Sequence, residues 1–480
     1  MISINKFYIG GEWVTPDSTK TMPILTPSTN AQIGQLTLGN RTDVDRAVAA
    51  AKTAFDSFSM TSKQERLALL YRLADVTRDR MEDLAQAITM EMGAPATMSF
   101  EVQADAGLGH LLAFTAALKA LEEEETLPNG DLLSREPIGV CGLITPWNWP
   151  INQIALKVIP ALATGSTCIL KPSEHTPLSA QIYAEIIHEA GYPAGVFNLV
   201  HGDGPTVGAG LSSHPDVAMM SFTGSTRAGS AVSKDSADTV KRVTLELGGK
   251  SPNLVFADCD LATRIQEGVV GCFYNTGQSC DAPTRMLVER SVYDQALEIA
   301  KRAADAQVVG DPAAKGDHIG PLFDGIQYDR VQTMIQKGID GGARLLAGGA
   351  GRPDGLPEHL QTGWFVRPTI FCDVTPDMAI WREEIFGPVL VMTPFDTEEE
   401  AIALANDTEY GLAAYLQTGS KERARRVSRR LRAGGIHING RDADYGSPFG
   451  GFKHSGIGRE GGRFGLEDYL ELKVRPPFVA

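Results

Sequence analysis

The stretch IGVCGLITPWNWPINQIALKVIPALATGSTCILK, Ile138 to Lys171, decides the fold. A short apolar run leads into a turn rich in Pro, Trp and Asn. A helical stretch follows, with Pro150 suited to its first position, and then a second apolar run. Strand, helix and strand in that order make a parallel β-α-β unit. Outward from it, VFNLV, VAMMSF, VTLEL and NLVF continue the apolar runs to Phe256, separated by helical stretches such as SAQIYAEIIHEAG. The alternation predicts a doubly wound parallel sheet. A second alternation runs from about Ala262 to Asn439, with TRMLVE, WFVRPTIF, GPVLVMTPF and GIHIN as strands and EEEAIALAN and KERARRVSRRLRA as helices.

Upstream, Thr42 to about Lys119 carries apolar residues at three- and four-residue spacing and reads as a helix-rich segment. Next comes EEEETLPNGDLLSREP, an acidic run with Pro128-Asn129-Gly130 as a turn between extended pieces, which suits a protruding hairpin. The Gly-rich GSPFGGFKHSGIGREGGRFG precedes DYLELKVRP, expected to be a strand whose partner could be another subunit.

Composition narrows the function. A chain of 480 residues suits two or three domains, and its 43% hydrophobic and 21% charged residues are ordinary for a globular protein. A net charge of -15 leaves no basic surplus for nucleic acid or an anionic bilayer, so a small-molecule partner is expected. The six cysteines are dispersed without a C-x-x-C pair, which suits a reducing compartment and argues against a zinc ribbon. No metal is expected. The start MISINKFYIGGEW lacks the charged and apolar regions of a signal peptide, so the cytoplasm is the expected location.

Five segments could carry chemistry. GQSC places Cys280 on a turn before a strand, where a thiolate could attack a carbonyl carbon if nearby backbone N–H groups lower its pKa. Taken alone, a cysteine is more often a small buried hydrophobe. In VTLELGGKSP, Glu246 ends an apolar run beside two glycines and could act as a general base, or could simply pair at a sheet edge. Asn148 in ITPWNWP offers an amide donor for an oxyanion, or merely organises its turn. SFTGSTRAG opens a helix whose free N–H groups favour a pyrophosphate, and KPSE puts Lys171 and Glu174 at a strand end where a ribose could be gripped. In EEIFGPV, Glu384 could accept from sugar hydroxyls and Phe386 could cover a flat ring, although a helix end packing into the following strand is the better reading of the segment alone.

In this order PWNWP, KPSE, FTGST, LELGGKSP, GQSC, EEIFGPV and PFGGFKHSGIGRE together resemble the NAD(P)-dependent aldehyde dehydrogenase superfamily, over nearly the whole chain. The resemblance implies two doubly wound Rossmann-like α/β domains plus a small β oligomerisation element. Residues 1–118 and 138–247 would bind the cofactor, 248–449 would form the catalytic domain, and 119–137 with 463–480 the oligomerisation element of a homodimer or homotetramer. It implies Cys280 as nucleophile, Glu246 as general base, Asn148 with the Cys280 backbone N–H as oxyanion hole, and Lys157 as a lysine relaying protons from the base. Lys171, Ser173 and Glu174 would hold the adenosine ribose, and Gly224 and Ser225 the pyrophosphate. Glu384 and Phe386 would meet the nicotinamide ribose and ring, with Ile144, Thr145, Pro146, Trp147, Gly204, Phe222, Leu247 and Gly248 completing the dinucleotide site.

Two choices within the resemblance follow from single residues. Branches that pass the acyl group to coenzyme A lack the glutamate matched by Glu246, so water is the expected acceptor. Glu174 would repel a 2'-phosphate while accepting from a free 2'-hydroxyl, so NAD is favoured over NADP. The matched aldehyde tunnel comprises Trp149, Gln153, Leu156, Tyr274, Ser279, Asp281 and Phe449, aromatic and mostly neutral, which favours a neutral aliphatic or aromatic aldehyde. Arg441, in the loop before PFGG, would reopen semialdehyde acids if it reached the tunnel mouth. Asp281 is unusual directly after a nucleophile. Unless it turns away from the thiol, its charge opposes thiolate formation.

Two other readings compete. A cysteine hydrolase would need a histidine near Cys280, and none lies nearby in sequence; activity without any dinucleotide would favour it. A non-catalytic protein of the same fold would give no NADH with any aldehyde.

Overall fold

The computed structural model describes residues 1–478, so the last two residues of the expected 463–480 segment lie outside the described residues. Its first large sheet has a parallel centre in the order Arg242–Glu246, Met219–Thr223, Val140–Ile144, Thr167–Lys171, Phe197–Leu199. The chain enters at the middle strand, winds one way, then returns to wind the other. The reversal falls between Val140–Ile144 and Met219–Thr223, whose carboxyl ends run into PWNWP and GST. A doubly wound sheet opens its binding crevice at that point.

The inner strands are buried on both faces, as the unbroken apolar runs require. Each such Val, Leu or Ile contributes about 1.5–3 kcal/mol on leaving water. The helix Pro150–Thr164 begins with Pro150, whose missing N–H costs nothing there, and stops at Gly165, whose φ of 91° only glycine adopts freely. The helices Arg41–Phe58 and Lys63–Asp79 open on reciprocal caps, Asn40 with Asp43 and Ser62 with Glu65.

The second sheet has six parallel strands in the order Thr369–Cys372, Val389–Phe395, Arg285–Glu289, Pro252–Val255, Ala413–Gln417, Gly435–Ile438, with Arg344–Ala347 antiparallel at one edge. One expectation is corrected here. NLVF continues the first alternation in sequence, but Pro252–Val255 pairs within the second sheet, because Gly248 and Gly249 carry the chain across before it starts. The strands Ala413–Gln417 and Arg344–Ala347 were not expected, nor were the N-terminal strands. Of these, Phe7–Ile9 and Glu12–Val14 add an antiparallel edge to the first sheet.

The hairpin Glu124–Thr126 and Leu132–Pro137 forms as expected around Asn129-Gly130. The expected strand forms at Leu470–Arg475 and pairs in its own chain with Leu132–Pro137 over six residue pairs. Its other side is an open edge of this three-stranded sheet. Among the described residues no helix is long and apolar enough to cross a membrane.

Candidate active site

The carboxyl ends of the first sheet face the amino ends of the second, and the sequence-predicted residues gather between them. Asn148 sits in the turn between Ile144 and Pro150, 6% exposed. Its Nδ2 donates to the Gln278 carbonyl at 2.9 Å, two residues before Cys280. The Asn275 amide donates to the carbonyls of Asn148 (3.0 Å) and Gln278 (3.2 Å), and Gln103 Nε2 donates to Asn275 Oδ1 at 3.1 Å. Gln278 Oε1 accepts from the Phe323 N–H at 2.9 Å. This buried amide network holds three successive left-handed residues, Asn275, Thr276 and Gly277, with φ of 52°, 57° and 70°. For a β-branched threonine that conformation is strained, and it delivers Cys280 on a fixed turn.

Burial holds the Cys280 thiol well above its ordinary pKa, and the charges of Asp281, Glu384 and Glu246 push the same way. Its backbone N–H works in the direction the sequence led us to expect but is outweighed, so the resting sulfur is a thiol. Asp281 does not escape the nucleophile: its charge is the largest contribution after burial.

Glu246 ends the strand Arg242–Glu246 at 2% exposure, and no protein donor reaches either carboxylate oxygen. Burial, then the neighbouring Glu460, hold its acid form well above the ordinary carboxylate range. A Cβ at Gly450 would collide with Oε1, so glycine there lets the backbone close over the carboxyl. Lys157, wholly buried, donates to Glu460, and both act electrostatically on Glu246. The sequence reading found Lys157 but missed Glu460, which lies in a Gly-rich tail that advertises no acid.

Glu384 accepts from the Gly249 N–H at 3.0 Å, and burial lifts its pKa to about 7. A side chain at Gly248 would strike this carboxylate, and one at Gly249 would strike the Cys280 carbonyl, so the two glycines are what allow base, nucleophile and Glu384 to crowd together. Phe386 stands at φ 60° and meets Trp147 edge-on, with centroids 5.6 Å apart. Trp147 in turn stacks on Phe323 at 4.4 Å and 20°, a second unforeseen residue.

The expected ribose pair also forms: Lys171 Nζ lies 3.0 Å from Glu174 Oε2. Burial opposes the Glu174 charge, but Lys171 prevails and holds the carboxyl below its ordinary value. Ser173 and Thr145 are buried beside this pair, and Thr145 N–H donates to the Lys171 carbonyl at 3.2 Å. Ser225 caps the helix Thr226–Ala237 by accepting from the Ala228 N–H, and Gly224 precedes it at the crevice. Ile144, Phe222 and Leu247 form one apolar cluster. Pro146 lies half-buried beside Trp147, and Gly204 is exposed at the start of a turn capped by Asp203.

Of the tunnel residues, Trp149 Nε1 donates to Ser279 Oγ at 2.9 Å, and its ring lies 6.2 Å from Tyr274. Gln153, one helical turn on, shares the face of Trp149 and keeps a buried Oε1 with no protein donor. Phe449 pairs through its backbone with Glu460. Leu156 instead packs in the main core. Arg441 is exposed in its loop. Among the described residues no group of three or more His, Cys, Asp or Glu side chains is placed to hold a metal ion.

A buried sulfur, an amide donor and a carboxyl beside an aromatic crevice define a class, and the chain belongs to the aldehyde dehydrogenase family, whose model matches residues 13–475. Its fold is that of solved members. An aldehyde dehydrogenase from Bartonella henselae superimposes with a TM-score of 0.97 at 49% identity, covering 99% of each chain. A mutant aldehyde dehydrogenase C from Pseudomonas syringae, complexed with NAD+ and octanal, gives 0.96 at 47%, over 98% of this chain and 96% of that one. In sequence, the 3-succinoylsemialdehyde-pyridine dehydrogenase of a Pseudomonas species is 51% identical over 475 residues, 99% of this chain and 98% of its own.

Proposed function

We propose that this enzyme oxidises an aldehyde to a carboxylic acid with NAD, through a thioester on Cys280 that water hydrolyses. The single observation carrying the reading is the convergence of Cys280, Asn148 and Glu246, far apart in sequence, on one crevice floored by Trp147 and Phe386.

The crevice fits a dinucleotide. Trp147, Phe323 and Phe386 offer flat faces, and the helix at Ser225 presents free N–H groups. NAD, when bound, supplies the hydride acceptor. Lys171, Ser173 and Glu174 would hold its adenosine ribose, Gly224 and Ser225 its pyrophosphate, and Glu384 its second ribose. Glu174 favours the free 2'-hydroxyl of NAD over NADP. The Bacillus cereus and Pseudomonas syringae neighbours, which were solved with NAD+, support that choice.

The chain's own groups perform the rest. The Cys280 sulfur passes its proton to Glu246 in its ionised form and bonds to the aldehyde carbon, while the carbonyl oxygen takes the charge and is held by the second Asn148 amide hydrogen and the Cys280 N–H. Each good donor contributes about 3 kcal/mol at the transition state. After the hydride has left the carbon, Glu246 releases its proton along the Lys157–Glu460 path and, now ionised, takes a proton from water, which attacks the thioester and releases the acid and the thiol. Lys157 and Glu460 form the buried path by which Glu246 would pass that proton on.

For substrate we favour a neutral aldehyde bearing an aliphatic chain or flat ring. Trp149 and Tyr274 supply apolar faces for such a chain or ring. The relatives acting on a pyridine-bearing semialdehyde and held with octanal fit this range.

We assign residues 1–118 and 138–247 to cofactor binding, 248–449 to catalysis, and 119–137 with 463–480 to assembly as a homodimer or homotetramer. The exposed Leu472 and Val474 on an edge strand support that last role. Six free cysteines suit the cytoplasm.

The test is Cys280→Ala assayed with aldehyde and NAD. Turnover falls by about 10⁴-fold or more while NAD affinity, read by fluorescence titration, stays within about threefold. Retained turnover would end the reading.

A further inference from the structure

The strands Ala413–Gln417 and Gly435–Ile438 run in parallel with Tyr415 opposite His437. Their rings stack, 4.6 Å between centroids and 15° between planes. On one side of the stack His437 Nδ1 lies 3.2 Å from Asp442 Oδ1. On the other, the Tyr415 hydroxyl donates to the backbone carbonyl of Asp281 at 3.2 Å. Asp281 is the residue after the nucleophile. A histidine is thus tied, through one ring and one hydrogen bond, to the turn that carries the reacting sulfur, and the reaction described above has no use for it.

We propose that His437 is a positioning residue for the nucleophile: its protonated ring neutralises the flanking carboxylates Asp281 and Asp442 and so governs how much of Cys280 is thiolate. The proposal rests on Cys280 being the nucleophile and adds a regulator to it.

The electrostatics run in the required direction. Asp281 makes the largest charge contribution against the thiolate. Burial raises the acid form of Asp281 itself, and His437 is the group that opposes this. Burial disfavours the imidazolium, but the Asp442 carboxylate 3.2 Å away and the Asp281 charge outweigh it, so His437 holds its proton above the ordinary histidine range. The groups facing this pair come from four elements. Asp442 and the Arg441 peptide lie on the loop, Asp281 on the nucleophile turn, and Tyr415 on the neighbouring strand. The helix Leu261–Phe273 presents Cys272 towards Tyr415, with the Arg264–Glu267 ion pair of 2.7 Å packed on the loop at Gly440. Glu246 and Glu384 also bear on the sulfur, but not among the causes acting on His437.

The sign follows. While His437 is protonated, the Asp281 charge is masked and the thiol ionises more readily. When His437 loses its proton, that charge is unmasked and thiolate formation becomes harder. The log of the sulfur's reactivity should therefore rise with pH, pause in a shoulder where His437 titrates, and rise again.

The experiment is iodoacetamide alkylation of the free enzyme across about pH 5.5 to 9.5, read by mass on the Cys280 peptide, for wild type, H437Q, D281N and the double variant. The expected result is a wild-type shoulder that H437Q lacks. H437Q should react about three- to tenfold more slowly at the acid end and converge with wild type at the alkaline end. D281N should react faster than wild type without a shoulder, and adding H437Q to it should change nothing. An H437Q rate equal to wild type at the acid end overturns the proposal, as does the same loss in the D281N background. Because alkylation is read on the sulfur without aldehyde or NAD, its outcome is independent of the Cys280→Ala turnover assay that tests the nucleophile assignment.

Discussion

Asn148 Nδ2 donates to the Gln278 carbonyl at 2.9 Å, which commits one of its two amide hydrogens to the backbone just before Cys280. The other hydrogen is then fixed in direction by the planarity of the amide, with no reorganisation left to make during the reaction. Preorganised donors of this kind are the strongest stabilisers of an oxyanion. Asn148→Ala should lower kcat/KM by about 10²- to 10³-fold. The fold should survive, because the Gln278 carbonyl keeps its bond from Asn275. Steady-state kinetics beside a melting curve checks this; a loss under about fivefold removes Asn148 from the oxyanion site.

Glu246 has two buried oxygens that no protein donor satisfies. If its task is to activate water, Glu246→Gln forms the acyl-enzyme normally and then waits. Rapid mixing with aldehyde and NAD should show a burst of about one NADH per active site, followed by a steady rate at least about 10²-fold below wild type. A wild-type steady rate would give the task to another residue.

The same residue makes a stability prediction. Burial and Glu460 hold Glu246 well above its ordinary pKa, so its contribution is complete below the unfolded value and is lost as pH rises through the folded one. A glutamine carries no such dependence. The melting temperature of E246Q relative to wild type should therefore increase between about pH 5 and pH 8, by roughly 1 to 3 °C. A constant difference across that window would show that the carboxyl is not held neutral.

Glu174 stands 3.0 Å from Lys171, where a 2'-phosphate would meet its charge. Glu174→Gln removes that repulsion while keeping a hydrogen-bonding group. The ratio of kcat/KM for NAD to that for NADP should fall by about tenfold, measured by titrating both cofactors. An unchanged ratio would place the ribose elsewhere.

How far the sequence could carry these conclusions depended on the kind of contact. The parallel cores were legible because a strand buried on both faces must be apolar throughout, and Val140–Ile144 and Thr167–Lys171 are. Cys280, Glu246 and Asn148 were legible as candidates because they stand at element ends, and the resemblance of seven motifs in register gave them their roles. Phe323, Glu460 and His437 were not, since each gains its place only from long-range packing: Phe323 against Trp147, Glu460 against Lys157, His437 against Tyr415. The strand Leu470–Arg475 was recognised but its pairing with Leu132–Pro137 was not, because alternation specifies a pleat and not which edge receives it.

The segment from Gly450 to Arg475 leaves the ribosome after everything it packs against. Gly456 then pairs beside Glu246, Glu460 reaches Lys157, and Leu470–Arg475 completes the small sheet on Leu132–Pro137. A nascent chain stalled before this point lacks the Gly456–Ile457 edge of the first sheet, holds a buried lysine without its counter-ion and has a hairpin without its third strand. Premature termination there would remove chemical competence and the folded hairpin in one stroke, leaving quality control a single late event to inspect.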